Sequence, residues 1–250
     1  MTDALATIGL VRRFGGLVAT NDVTFALARG ARHALIGPNG AGKTTFVNLL
    51  TGVLAPTAGR ILLAGEDVTG LPQDARVRRG LSRTFQINQL FPDLTPLETI
   101  GLAVSERLGH GGDVWRVVGT RDAVLEEIVS IASRFGLIDA LETRVGGLPY
   151  GKQRQLEIAV AFATRPRVLL LDEPAAGVPE RERRALIETI AALPRDVSVL
   201  LIEHDMDIVF SFAERISVLV DGALFAEGAP DEIARDARVK AVYLGGATHG

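Results

Sequence analysis

The sequence contains no cysteine, which closes off both disulfides and thiolate metal sites. It has no apolar run long enough to cross a bilayer. The longest resemble residues 168–171 and 198–202, far short of the roughly 20 residues a spanning helix needs. An excess of charge of one sign is missing too: the formal net charge is −3, which does not suggest general binding of nucleic acid. Met1-Thr2-Asp3 opens no secretory signal, and no internal repeat or low-complexity tract appears. What remains is an ordinary globular composition, 47% hydrophobic and 23% charged over 250 residues. Such a chain can bury the core of one large domain or two closely joined lobes. We expect it to be soluble, with any membrane role supplied through partners.

Lysine is scarce as well, at 3 of 27 basic residues. One of the three is Lys43, in the stretch Gly37-Pro38-Asn39-Gly40-Ala41-Gly42-Lys43-Thr44-Thr45. The preceding Ala34-Leu35-Ile36 reads as a buried strand, and the following Phe46-Val47-Asn48-Leu49-Leu50 as a helix without a breaker. Strand, glycine-rich turn and helix form the context of a phosphate-binding loop. The glycines let backbone N–H groups close around phosphates, and the helix N-terminus adds orphan donors and partial positive charge. A compact ammonium at Lys43 fits among phosphate oxygens where a broad guanidinium does not, and the Thr44 hydroxyl can ligate Mg²⁺.

Along the chain, strand-like pieces at 7–11 and 23–27 are joined through Phe14-Gly15-Gly16. Phe14 is either a core aromatic or a ring that stacks on a purine. A strand follows at 60–64, a short helix at 72–79 ended by Gly80, and a strand running into Arg83-Thr84-Phe85-Gln86. Gln86, at a strand end, can ligate a metal or orient a water, or be an ordinary polar loop residue. From about 96 the pattern turns helical, at 97–108, 121–135 and 151–164, interrupted by Gly109-His110-Gly111-Gly112 and stopped by Pro166. Trp115, beside that glycine loop, is assigned no function. The reading is a helical lobe, about 96–165, inserted into an α/β lobe made of about 1–95 and 166–250.

A second chemical signal lies at Val168-Leu169-Leu170-Leu171-Asp172-Glu173, a continuous apolar strand ending in adjacent carboxylates. Ligands gather at such strand ends in open α/β sheets. Asp172 can hold the Mg²⁺ shell and Glu173 can polarise water for in-line attack on a γ-phosphate, although two acids after a strand also serve as helix caps. Another buried strand, Val199-Leu200-Leu201-Ile202, ends in Glu203-His204, and His204 can donate a hydrogen bond to the γ-phosphate. The rest reads as a hairpin around Asp221-Gly222 and a terminal helix near 238–244.

Phe14, the stretch from Gly37 to Thr45, Gln86, Leu148-Pro149-Tyr150-Gly151-Lys152-Gln153, Leu171-Asp172-Glu173-Pro174 and His204 stand in an order that resembles the ATP-binding cassette (ABC) ATPases over essentially the whole chain. Within them the sequence most resembles the larger ATPase subunit of branched-chain amino-acid importers. The residues carrying that match are Arg12-Arg13-Phe14-Gly15-Gly16-Leu17, Arg83-Thr84-Phe85-Gln86, Tyr150-Gly151, Asp172-Glu173-Pro174-Ala175-Ala176-Gly177, Ile202-Glu203-His204-Asp205-Met206 and Tyr243-Leu244-Gly245.

The resemblance implies an α/β nucleotide-binding domain of the P-loop NTPase type, with an N-terminal antiparallel β subdomain and an inserted α-helical subdomain. It implies ATP and Mg²⁺ as cofactors. Phe14 would stack on adenine, the loop from Gly37 to Thr45 would hold the triphosphate, and Thr44, Asp172 and Gln86 would arrange the metal. Glu173 would position the attacking water, and His204 would hold the γ-phosphate. It further implies a homo- or heterodimer in which Leu148, Gly151, Lys152 and Gln153 of one cassette complete the site of the other. Two integral-membrane permease subunits and an extracytoplasmic solute-binding protein would be its partners, with the chain on the cytoplasmic face of the inner membrane. A lipid-exporting cassette is the alternative, and a soluble non-transport cassette a more distant one. Three positions depart from the pattern: Pro149 stands where serine is usual, Lys152 where glutamine is, and Pro179 where Asp or Asn is. Lys152 is expected to replace the lost hydroxyl contact with charge.

Overall fold

The structure is a computed structural model that describes residues 3–84, 90–109 and 122–245. The expectations for Gln86, the glycine loop at 110–112 and Trp115 lie outside the described residues.

The chain begins with antiparallel strands β1 (Leu5–Phe14) and β2 (Leu17–Leu27), longer than the patterned segments suggested because the ladder continues to Phe14↔Leu17. Strand β3 (Arg32–Ile36) then runs into the glycine loop and helix α1 (Lys43–Thr51). Strands β4 (Ala58–Leu63) and β5 (Glu66–Asp67) return to β1, giving a four-stranded antiparallel sheet ordered β2-β1-β4-β5. Helix α2 (Gln73–Arg78) leads through Gly80 into β6 (Leu81–Arg83). Helices α3 (Pro96–Arg107), α4 (Asp122–Arg134) and α5 (Tyr150–Ala163) follow. Then β7 (Val168–Asp172), α6 (Glu180–Ala191), β8 (Ser198–Ile202) and α7 (Met206–Phe212) alternate. A hairpin of β9 (Arg215–Val220) and β10 (Ala223–Gly228) and the helices α8 (Pro230–Arg235) and α9 (Ala237–Gly245) close the chain.

The second sheet is ordered β10-β9-β3-β8-β7-β6, parallel except for β10. Side chains alternate across a strand with period two, and every residue of β3, β7 and β8 is buried, so this sheet must carry a core on each face. Ala34, Ile36, Leu169, Leu171, Val199 and Leu201 join the core shared with the helices from α3 to α7. Leu35, Val168, Leu170, Leu200 and Ile202 face the other way, onto α1 and the antiparallel sheet. Phe46 of α1 is fully buried there, edge-on to Phe25 of β2 at 5.8 Å between ring centres. Burying such a ring contributes about 1.5–3 kcal/mol, which fixes α1 against the sheet and so fixes the loop that precedes it. Because β3, β7 and β8 are parallel neighbours, their C-terminal ends lie side by side. Ile36, Asp172 and Ile202 therefore deliver the loops beginning at Gly37, Glu173 and Glu203 to one edge of the sheet.

Candidate functional site

The loop between β3 and α1 is shaped by close approaches that only glycine allows. A Cβ on Gly42, whose φ is 92°, would sit 2.5 Å from the Ala19 carbonyl oxygen of β2, and one on Gly37 would sit 2.2 Å from the Leu219 carbonyl oxygen of β9. The loop is thereby held between the two sheets. Gly42 offers α1 no capping side chain, and the first turn of α1 carries no acid, so its leading N–H groups face an external acceptor. Lys43 folds back over the loop, its ammonium donating to the carbonyls of Gly37 at 2.5 Å and Pro38 at 3.0 Å. Burial pushes the ammonium below its ordinary pKa, while the nearby Glu173 and Asp172 carboxylates push it back up. Thr44 is exposed at the start of the helix.

Glu173 leaves β7 in the left-handed region, with φ at 47°, and its backbone N–H donates to the Ile202 carbonyl at 2.9 Å. That placement is strained for a residue with a Cβ. It brings the carboxylate beside His204, with Nδ1 of the imidazole 3.5 Å from Oε1 of Glu173. The His204 ring is largely exposed. Asp172, one residue earlier, is buried and bonded to Arg83 of β6, whose Nη2 donates to Oδ2 at 2.6 Å and whose Nη1 donates to Asn48 Oδ1 at 2.7 Å. Asn48 stands one helical turn beyond Thr44 on α1. Arg83 thus links the carboxylate to the helix that carries the hydroxyl. Sequence reasoning took Arg83 only as part of a resemblance; the pairing of β6 with β7 was the missing information.

Asn39, Gly40, Ala41, Gly42, Lys43, Thr44, Thr45 and Glu173 line one cavity of about 450 Å³. The cavity is also lined by residues that the sequence did not mark as site residues: Leu17, Val18 and Ala19 of β2 and the turn Asp221-Gly222. That turn backs the loop directly, since the Gly222 N–H donates to the Ala41 carbonyl at 3.0 Å and the Asn21 N–H to the Gly222 carbonyl at 2.8 Å. The Asp-Gly pair, both residues at positive φ, was legible as a hairpin turn but not as part of a site. Phe14 is not among the lining residues. It sits at the hairpin tip, paired with Leu17, half-exposed, with the Arg12 guanidinium 4.5 Å from its ring centre. A larger groove of about 1260 Å³ lies elsewhere, around Arg78, Arg79, Arg107, Arg165 and Arg167. It carries no counterpart of the loop from Gly37 to Gly42, and the helix that starts there, α2, has Asp74 in its first turn, so the smaller cavity is the candidate phosphate site.

The residues fit a Mg²⁺-bound nucleotide. A hydroxyl at Thr44 and a carboxylate at Asp172 suit an ion that takes few protein ligands and completes its shell with water and phosphate oxygens. Among the described residues no group of three His, Asp or Glu side chains is gathered to hold a metal by itself.

The stretch around residue 150 is placed apart from this cavity: none of Leu148, Gly151, Lys152 and Gln153 lines it. Leu148 is buried, and Gln153 donates from Nε2 to the Leu148 carbonyl at 2.9 Å, which shapes the turn into α5. Pro149 provides no side-chain cap, and the first turn of α5 has no acid. A Cβ on Gly151 would meet Glu182 Oε2 at 2.3 Å. Tyr150 lies against Gly177, where a Cβ would be 2.9 Å from its ring. The Lys152 ammonium is bound inside the chain, by Asp139 Oδ1 at 2.9 Å and by the Gly136 carbonyl. The phosphate-directed role expected for Lys152 therefore requires it to leave this pair.

Two family models match the chain: ABC transporter over residues 20–176, and branched-chain amino acid ATP-binding cassette transporter over residues 223–249. The high-affinity branched-chain amino acid transport ATP-binding protein LivG of Escherichia coli is 41% identical over 248 residues, covering 96% of this chain and 97% of LivG. The corresponding protein BraF of Pseudomonas aeruginosa is also 41% identical, over 96% of this chain and 97% of its own length. Among solved structures, the ADP conformation of MJ1267, an ATP-binding cassette of an ABC transporter, matches with a TM-score of 0.85 at 27% identity, covering 98% of this chain and 100% of that one. A chain with this loop, these strand-end carboxylates and these relatives belongs to the ABC transporter ATPases, in the group of ATP-binding subunits that includes LivG and BraF.

Proposed function

We propose that this ABC ATPase powers an importer of branched-chain amino acids, working as one of two cassettes that close on MgATP. The observation that carries the reading is the one-sided phosphate site. The chain supplies the cavity lined by Lys43, Thr44 and Glu173, while its own uncapped α5 terminus lies outside that cavity. A second cassette, identical or homologous, is then needed to bring Leu148, Gly151, Lys152 and Gln153 to the γ-phosphate side. The likeness to LivG and BraF, both high-affinity branched-chain amino acid transport ATP-binding proteins, supports branched-chain amino acids as the cargo. No described helix is long and apolar enough to cross a membrane. In this reading two integral-membrane permease subunits carry the solute, and a solute-binding protein outside the membrane delivers it. The chain then sits on the cytoplasmic face of the inner membrane, and nucleic acid is no part of the cycle. Residues about 96–165 form the helical subdomain and the remainder the catalytic core.

In the cycle we infer, Phe14 stacks on adenine and the N–H groups of the loop hold the phosphates. Lys43 exchanges the carbonyls of Gly37 and Pro38 for phosphate oxygens. Bound Mg²⁺ would neutralise charge developing between the β- and γ-phosphates, held by Thr44, Asp172 and Gln86. Glu173 orients the attacking water and takes up its proton. His204, 3.5 Å from Glu173, holds the γ-phosphate oxygens and releases them after cleavage.

The test uses Glu173→Gln in the full chain with its co-expressed partners. Expected are retained ATP binding, loss of turnover and an accumulated ATP-dependent dimer. Full turnover in that variant removes Glu173 from the role. Co-purification with two multi-span proteins and uptake of labelled leucine by the assembled complex support the cargo. Uptake of a different solute corrects the cargo while leaving the ATPase reading intact.

A further inference from the structure

Glu203 follows the last residue of β8, and only 2% of it is exposed. A buried carboxylate must be compensated, and no Lys or Arg among the described residues forms an ion pair with it. Its hydrogen bonds come from the backbone of two loops. Oε1 accepts from the Ala175 N–H at 3.4 Å, and Oε2 accepts from the His204 N–H at 3.1 Å. The His204 imidazole lies beside it too, with Nδ1 3.8 Å from Oε2. Ala175 lies in the loop that begins with Glu173; His204 and Asp205 begin the loop that enters α7 through the Asp205 cap. One carboxylate therefore ties the backbone of the hydrolytic carboxylate's loop to the backbone of the histidine that faces it.

We infer that Glu203 is a positioning residue for ATP hydrolysis: its buried carboxylate sets the separation of Glu173 and His204 by holding both loops at once. Glu173 needs such support. Its φ of 47° is strained, and its own N–H is tied only to the Ile202 carbonyl next to Glu203 in sequence. Threonine or leucine cannot reach both loops, and glutamine offers one acceptor oxygen where the carboxylate offers two, the amide N–H₂ facing an N–H of the loop. The ordering wild type, Glu203→Gln, Glu203→Leu should therefore be graded in turnover. Glu203 does not touch the cavity that holds the phosphates, so ATP affinity should stay nearly constant across the series.

This inference rests on Glu173 and His204 carrying the chemistry, and the experiment separates the two claims. Turnover, equilibrium binding of a fluorescent ATP analogue and thermal midpoint are measured in the full chain for Glu203→Gln, Glu203→Leu, His204→Ala, Glu173→Gln and the double variant Glu203→Leu/His204→Ala. A misplacement near 1 Å at a reacting group costs on the order of 100-fold, so Glu203→Leu should lower kcat by about 10- to 100-fold. Affinity should change less than about threefold, a split that removal of transition-state geometry produces and general loosening does not. The double variant should fall little below His204→Ala alone, because both substitutions break the same unit. Wild-type turnover in Glu203→Leu overturns the inference, as does a loss of affinity matching the loss of kcat. If Glu203→Leu does not fold, Glu203→Gln decides: lowered kcat at unchanged midpoint and affinity supports the inference, and unchanged kcat overturns it. Full turnover in Glu173→Gln and His204→Ala instead sinks the parent reading.

Discussion

Two helix N-termini of this chain, at α1 and at α5, have the same construction and opposite surroundings. Among the described helices, the others begin with a capping side chain, an acid in the first turn, or both. Thr95 and Glu98 form a reciprocal box at α3, Asp205 caps α7, Glu180 and Glu182 open α6, and Asp236 accepts from the Arg238 N–H at α9. Helices α1 and α5 have neither. An N-terminus left without a cap loses about 1 kcal/mol and keeps its donors and partial positive charge for something else. At α1 that something enters a cavity built by the same chain. At α5 the terminus lies outside that cavity, with the Glu182 side chain against Gly151. The difference is what the proposed function calls for: in that reading the two ends become halves of one anion site when a second cassette closes on the first.

The comparison breaks most visibly at Glu173. Glu173→Gln should reduce turnover by about 10²- to 10⁴-fold, the range for loss of a general base, while ATP still binds at the α1 half and the closed dimer builds up. Steady-state phosphate release and size-exclusion chromatography with MgATP read the two quantities.

A stability measurement isolates the α1 half. His33 of β3 is buried, bonded through Nε2 to Ser217 Oγ at 2.8 Å, and burial pushes it down from 6.5 to about 4. Glu227 opposes that shift and Arg215 reinforces it. The unfolded chain takes up this proton first as pH falls. The stability contribution is therefore complete above pH 6.5 and is lost as the pH approaches 4, in all about 3 kcal/mol. Denaturant midpoints of His33→Gln should lose that slope relative to wild type between the two pH values, with the α5 half unaffected.

Gly151→Ala tests the α5 half in turn. The added methyl meets the tip of the flexible Glu182 side chain, which can move, so the fold should survive. Nucleotide binding to the isolated chain should be unchanged, while ATP-driven dimerisation measured by light scattering weakens. Equal weakening of both would place Gly151 in the chain's own site.

Lys152→Gln is expected to have the smallest effect, a lowering of ATP-driven dimerisation without loss of ATP affinity. Unchanged dimerisation and turnover would assign Lys152 to its contacts with Asp139 and Gly136 alone.

Much of the fold was legible locally. The apolar runs of β7 and β8, the breaker at Gly80 and the helical spacing at α3, α4 and α5 all follow from period and punctuation. Strand lengths at the N-terminus were underestimated, because β1 and β2 extend by pairing with each other beyond their patterned centres. The loop residues and Glu173, which line one cavity, could be proposed from sequence because their chemistry is contiguous. Arg83, Ala19, Gly222 and Glu203 were not singled out for their contacts, because each acts through a residue far away along the chain.

By itself the sequence pointed to a loop of the phosphate-binding type, to the acids at the end of β7 and to the lack of an apolar run long enough to span a bilayer, since each depends on residue types at short spacing. Only the tertiary structure decided that Gly37, Glu173 and Glu203 begin neighbouring loops, and that the α5 terminus lies outside the cavity. Parallel pairing of β3, β7 and β8 aligns strand ends separated by more than a hundred residues, and no local pattern encodes which ends will meet.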